Sequence, residues 1–205
     1  MDLLPVILLC AACTALAAIP YWLFNLWTRS RTEKFMLAAA QKLGLIPSAG
    51  DKKNLPTVAG RYRTHSTTIA ASYTSNEHHF PLTRITVRLD KPVDFQLRIV
   101  DNSFLSSSPD EEYFPFADQV LDKALQLATT DNQKTSLLID EQIKQDLHKA
   151  LELGCQRGEL VIDEFELRYT DPQHMLLISD FARVTHMVEL LHDLADKLDC
   201  KNEAN

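Results

Sequence analysis

An α+β domain behind a single membrane-spanning helix is the architecture this sequence predicts, and three observations carry it. Leu3 to Trp27 is a run of 25 residues without one charged side chain. Short segments of alternating apolar and polar residues then follow, mixed with helical stretches but without a repeating strand-helix-strand rhythm. A long amphipathic segment closes the chain.

The apolar run meets the roughly 20 residues of helix that a bilayer core needs, and it avoids the about 2.5–3.5 kcal/mol of placing a charge at the centre. A cleavable leader would cut after Ala15-Leu16-Ala17, but no Lys or Arg precedes the apolar stretch, which continues through Ile19, Trp22, Leu23, Phe24 and Trp27. The residues before Cys10 and Cys13 do not give a clean lipoprotein pattern either. The run therefore reads as an uncleaved anchor. Arg29, Arg31 and Lys34 follow it and only Asp2 precedes it, so the positive-inside bias puts the C-terminal domain in the cytoplasm. Tyr21, Trp22 and Trp27 suit the interface at that end.

From Thr28 a helix continues to Leu43, with Phe35, Ala39 and Leu43 on one side, ended by Gly44 and Pro47. Residues 46–56 read as a linker. Strands are expected over Val58–Thr64, Thr67–Thr74, Leu82–Asp90 and Phe95–Val100. The third is the clearest, because Ile85, Val87 and Leu89 alternate with Arg84, Thr86 and Arg88. After a loop at 101–115, a short helix over Asp118–Lys123 feeds a strand at Leu125–Thr129. Thr130 or Asp131 caps a helical stretch that breaks near Asp140 and stops at Gly154. Glu159–Asp163 and Phe165–Thr170 form a hairpin. Ser179 or Asp180 caps a last helix to about Leu198, whose stripe of Phe181, Val184, Val188, Leu191, Leu194, Ala195 and Leu198 can pack on a sheet. The organisation is thus a transmembrane anchor (1–28), a basic juxtamembrane helix and linker (29–56) and a soluble α+β domain with an antiparallel sheet and packed helices (57–200).

The chain carries a net charge of −7, unevenly spread. Residues 28–64 hold eight basic and two acidic side chains, whereas residues 65–205 sum to −12. A basic segment beside the anchor is attracted to an anionic leaflet by about 1 kcal/mol per Lys or Arg. The acidic remainder argues against nucleic acid as a partner. Cys155 and Cys200 have no motif around them and read as reduced thiols.

The order "GRY", "TRITVRLDKP", "DQVLDKALQLATTD", "GELVIDEFELRY" and "LLHDLADKL" resembles a loose group of uncharacterised bacterial membrane-anchored α+β domain proteins. The resemblance implies a bacterial source and no activity; the bacterial inner membrane as location follows from the apolar run and its flanking charges.

Chemistry-bearing clusters are sparse. His78-His79 are adjacent and point apart in extended chain. His186, Glu189 and His192 are spaced by three, which puts the two histidines about 120° apart around a helix, too far to share an ion. There is no HExxH, nucleophile elbow or phosphate-binding glycine loop among five glycines. Cys155 follows Gly154 at a helix end, the wrong terminus to activate a thiolate. No metal, cofactor or small-molecule substrate is implied.

One pattern is sharper. If the first four strands form a meander with Tyr62, Ile69, Ile85, Val87, Leu97 and Ile99 inward, alternation turns Arg61, Arg63, Arg84, Arg88 and Arg98 to the other face. Arginine forks suit bidentate contacts with carboxylates or phosphates. The plainer reading has them paired with Glu77, Asp90 and Asp94, only keeping the sheet soluble. The functional expectation is a membrane-tethered cytoplasmic binding or assembly module, such as a subunit of a membrane complex, docking an acidic protein segment or anionic headgroups. The alternative is an unrecognised enzyme acting at the membrane surface. A pocket with converging polar side chains favours the enzyme, and a flat arginine-lined sheet favours the module.

Overall fold

The computed structural model of the chain describes residues 19, 22–23, 26–27, 29–48, 55–73, 81–102, 112–171 and 180–202. Among them no helix is long and apolar enough to cross a membrane; the apolar run from Leu3 to Trp27 lies mostly outside them. Its described positions are helical, and Ile19, Trp22, Leu23, Leu26 and Trp27 are all 47–61% exposed.

Helix α1 covers residues 29–43. It ends where Gly44 takes a φ of 66° and the Leu45 amide donates to the Ala40 carbonyl at 2.9 Å, a left-handed cap that a residue with a Cβ would strain. Met36, Ala39, Ala40 and Leu43 are buried in the same core as the sheet. The helix expected to lie beside the membrane therefore packs on the domain. Nor are residues 46–56 linker throughout, because Ile46–Ser48 forms the edge strand β1.

Among the described residues, nine strands make one antiparallel sheet. They are β1, β2 (Thr57–Tyr62), β3 (His65–Tyr73), β4 (Pro81–Arg88), β5 (Leu97–Asp101), β6 (Glu112–Tyr113), β7 (Leu125–Thr129), β8 (Glu159–Asp163) and β9 (Glu166–Asp171), in the order β1-β2-β3-β4-β9-β8-β5-β7-β6. The expected four-strand meander is corrected here. β1 to β4 do follow one another, but β5 does not join β4. The β8–β9 hairpin enters between them, and residues 89–96 pass around its tip, where the Leu89 and Val93 amides donate to the Phe165 and Glu164 carbonyls.

The remaining helices are α2 (Gln119–Ala124), α3 (Asn132–Leu138), α4 (Glu141–Glu152) and α5 (Asp180–Asn202). Three of them begin on an aspartate whose side chain accepts from first-turn amides: Asp118 for α2, Asp131 for α3 and Asp140 for α4. Such a cap contributes about 1 kcal/mol. α5 lies across β4 and β9 and contacts α3 and α4. It is buried around most of its circumference, Met187, Leu190, Leu191 and Leu194 all being under 3% exposed. The stripe expected on it is therefore wider than a sheet-facing face alone.

The described helices cover one side of the sheet. Val58, Ile69, Ile85, Leu97, Ile162 and Leu167 point to that side and are at most 1% exposed. On the other side the outward residues of β2, β3, β4, β8 and β9 are exposed or half-buried wherever described.

Candidate functional site

The bare face carries arginines in register. On β4, Arg84 and Arg88 flank Thr86. Arg88 pairs with Ser66 of β3 and Glu166 of β9, Arg84 with Ala70 and Thr170, and Thr86 with Thr68 and Arg168. Arg61 stands across from Ser66 and Arg98 across from Val161. Alternation therefore places Arg61, Arg84, Arg88 and Arg98 on one face, as the sequence suggests. It also adds Arg168, which was legible from its inward neighbours Leu167 and Tyr169.

Arg63 is a correction. It sits in the β2–β3 turn with a φ of 51°, where period-2 alternation stops. Its guanidinium reaches α5 instead, at 2.5 Å from Asp193 Oδ1 and 3.5 Å from Asp196 Oδ2. The Asp193 hydrogen bond raises the Arg63 pKa above its ordinary value. Arg63 is a tie between hairpin and helix.

The other arginines differ in their freedom. Arg61 Nε donates to the Thr64 carbonyl at 3.0 Å. Arg98 Nε meets Glu159 Oε1 at 2.6 Å, and Arg168 meets Glu166 at 3.0 Å within its own strand. Arg84 and Arg88 are exposed, and their side chains have no hydrogen bond or ion pair with any described residue. The expected neutralising partners do not reach them. Asp94 is held at 2.5 Å by Lys134 of α3, and that bond holds its carboxyl below the usual range. Asp90 pairs with none of the arginines, and Glu77 lies outside the described residues. The insertion of β8–β9 also separates Arg98 from the β4 pair.

Polar groups gather again where α5 meets the β2–β3 hairpin. His192 of α5 is buried. Its Nε2 lies 2.7 Å from Thr67 Oγ1, and its ring stacks edge-on to Tyr62 at 4.9 Å. Burial pushes its pKa down to about 4. His186 turns the other way and donates from Nε2 to the Asp146 carbonyl of α4 at 2.8 Å. The two histidines thus serve different neighbours, in keeping with their spacing. His78 and His79 lie outside the described residues. His65, Asp196 and Asp199 complete this seam; nothing in the sequence joins them, since they come from a strand start and the end of α5.

A second buried group links Tyr169, Asp171, Arg183 and Cys155. The Tyr169 hydroxyl donates to the Cys155 carbonyl and to Asp171 Oδ2, both at 3.2 Å, and Arg183 pairs with Asp171. Burial pushes the Cys155 thiol up, so it is no nucleophile. A cavity between α4 and the sheet, lined by Ile99, Leu147, Leu151, Tyr169 and Met187, measures about 30 Å³ and is apolar, room for about one water. A wider depression of about 550 Å³ near Asp101, Asn102, Lys123 and Gln156 is open to solvent. Neither assembles a nucleophile with a base and an oxyanion donor.

No family model matches the chain, and no curated protein matches its sequence. Among solved structures, the crystal structure of the mycobacterial trehalose monomycolate transport factor A, TtfA, is similar in fold: the TM-score is 0.58 at 12% identity, over 83% of this chain and 94% of that one.

Proposed function

We propose that this chain is a membrane-tethered assembly module whose helix-free sheet face docks an acidic segment of another protein in a membrane complex. The observation that carries it is the pair Arg84 and Arg88, whose side chains make no hydrogen bond or ion pair with any described residue, while Arg98 and Arg168 of the same face are held by carboxylates. Four residues of strand separate them by about 13 Å. An extended segment with carboxylates at the same spacing would meet both forks at once, each through two charge-assisted hydrogen bonds.

A protein partner is favoured over a bilayer. Glu159, Asp163 and Glu166 share the face, and residues 65–205 sum to −12, so a planar anionic leaflet would repel most of what it touched. Of these charges, a peptide confined to β3 and β4 would meet Glu166 alone, which stands across from Arg88 and is held by Arg168. The apolar run before Arg29 supplies the tether, with the domain on the cytoplasmic side of a bacterial inner membrane. Exposed apolar side chains at the described helical positions 19 to 27 agree with it. The likeness in fold to a protein named as a transport factor also suits a partner in an assembly.

The test is chemical cross-linking in intact membranes, followed by partner recovery with the full-length chain and with its Arg84→Ser/Arg88→Ser variant. Recovery should fall several-fold in the variant, and wild-type recovery should fall as salt rises. Equal recovery from both would make the arginines a solvated face. Flotation of the wild type's soluble part with anionic vesicles, lost in the variant, would assign the face to lipid instead. Protease added to spheroplasts should leave the domain uncut.

A further inference from the structure

Three elements far apart in the chain bring donor atoms together beneath the Arg63 tie. His65 opens β3 on the helix-covered side and is 2% exposed. Its Nε2 lies 3.1 Å from Asp196 Oδ1. A carboxylate only accepts, so Nε2 carries the proton in that bond. Nδ1, on the other side of the ring, is buried and makes no hydrogen bond.

What Nδ1 faces is acidic. Asp199 Oδ2 is 3.6 Å away, and one donor atom each from His65, Asp90 and Asp199 lie within 4.8 Å of one another. Asp199 Oδ1 is likewise buried without a hydrogen bond. Burial and the Asp90 charge hold Asp199 above the usual carboxylate range. Lys91 acts on Asp199 from a distance but makes no ion pair with it among the described contacts. A nitrogen lone pair directed at two carboxylates is unfavourable unless a positive charge sits between them.

We propose that His65 Nδ1, Asp90 and Asp199 form a binding site for a single divalent cation, with zinc as the ion that fits best. The imidazole donor selects against magnesium and calcium, which prefer all-oxygen shells, while two carboxylates suit zinc equally well. Three protein donors leave a further position open to water or to a ligand group, as in sites that do more than hold a fold together. Asp196 is a positioning residue, because its hydrogen bond to Nε2–H fixes the tautomer that presents Nδ1. The ion would join the start of β3, the turn after β4 and the last turns of α5, on the opposite side of the sheet from Arg84 and Arg88.

The experiment is calorimetric titration of the purified, chelator-stripped full-length chain in detergent with zinc chloride, with magnesium chloride as the comparison. The wild type should take up one tight zinc per chain and no comparable magnesium. Nitrogen NMR should move the His65 Nδ1 signal and leave Nε2 protonated. Asp90 is exposed, so Asp90→Asn keeps the fold, checked by circular dichroism, and should lower the affinity at least tenfold. Asp196→Asn leaves all three donors in place and should lower it about 10- to 100-fold. No saturable uptake, equal uptake by Asp90→Asn and wild type, or magnesium bound as tightly as zinc would each overturn the site. So would a His65 imidazolium hydrogen-bonded to both Asp196 and Asp199 with no zinc uptake, which makes the missing charge a proton.

Discussion

The two faces of the sheet are built from the same strands by opposite rules. On the covered face, Ile85 and Val87 of β4 are fully buried beneath α5. One residue away on the same strand, Arg84 and Arg88 project from the bare face with nothing described against them. Even the arginines divide along this line. Arg63, freed from alternation by the hairpin turn, ties the covered side together through Asp193 and Asp196, whereas Arg84 and Arg88 tie nothing. The described apolar core of this domain therefore lies on one side of the sheet, and substitutions at exposed positions of the other side should leave the protein folded.

Neighbouring positions on β4 should respond most differently to substitution. Ile85→Ala removes three carbons from a site with no exposure, and should destabilise the domain by about 3–4 kcal/mol in denaturant unfolding. A loss under about 1 kcal/mol would mean that the covered face is loosely packed and the contrast is overstated.

Acid should act on the same face. His192 is held neutral, with its pKa down at about 4 against about 6.5 in an unfolded chain. Between those values the unfolded state binds more protons, so the stabilisation is complete above pH 6.5 and is lost as pH falls towards 4. The loss amounts to up to about 3 kcal/mol. Unfolding measured in the presence of a chelator from pH 7 to 4 should show this slope, and a His192→Gln variant should flatten it. Gly158→Ala comes next. A Cβ there would stand 2.2 Å from the Tyr169 hydroxyl and 2.3 Å from ring carbons, and that ring is anchored to the Cys155 carbonyl and Asp171. Overpacking of this kind costs about 1–3 kcal/mol, read as a lower melting temperature.

The elements with local signals were legible in the sequence. Asp118, Asp131 and Asp140 cap helices where an acidic residue precedes an apolar period, and Gly154 takes a φ of 80° after α4. The β8–β9 hairpin was visible as two alternating runs around Glu164-Phe165. Its place between β4 and β5 was not, because long-range pairing leaves no mark within either strand. β1 was missed because Ile46-Pro47-Ser48 reads as a turn and all three residues are exposed. The arginine face was legible as far as period 2 extends, which excludes Arg63. The His65, Asp90 and Asp199 cluster had no local spacing to reveal it, since only the fold brings the end of α5 to the start of β3.

The smallest expected effect is the one that tests the comparison most directly. Arg63→Ser removes a partly exposed tie to two carboxylates and should cost about 0.5–1 kcal/mol, the upper range for a surface pair. Arg84→Ser/Arg88→Ser removes two charges that have no partner among the described residues. Both side chains are exposed and serine is compatible with an exposed strand position, so the change should stay within about 0.5 kcal/mol of zero. Equilibrium unfolding of the two variants side by side reads the difference. If the double variant loses as much as Arg63→Ser or more, Arg84 and Arg88 have structural partners after all. The bare face would then be a support for the fold, and the docking role assigned to it would lose its main argument. If the double variant unfolds like the wild type, any loss of partner recovery belongs to the surface itself, because the covered face that holds the domain together has not changed.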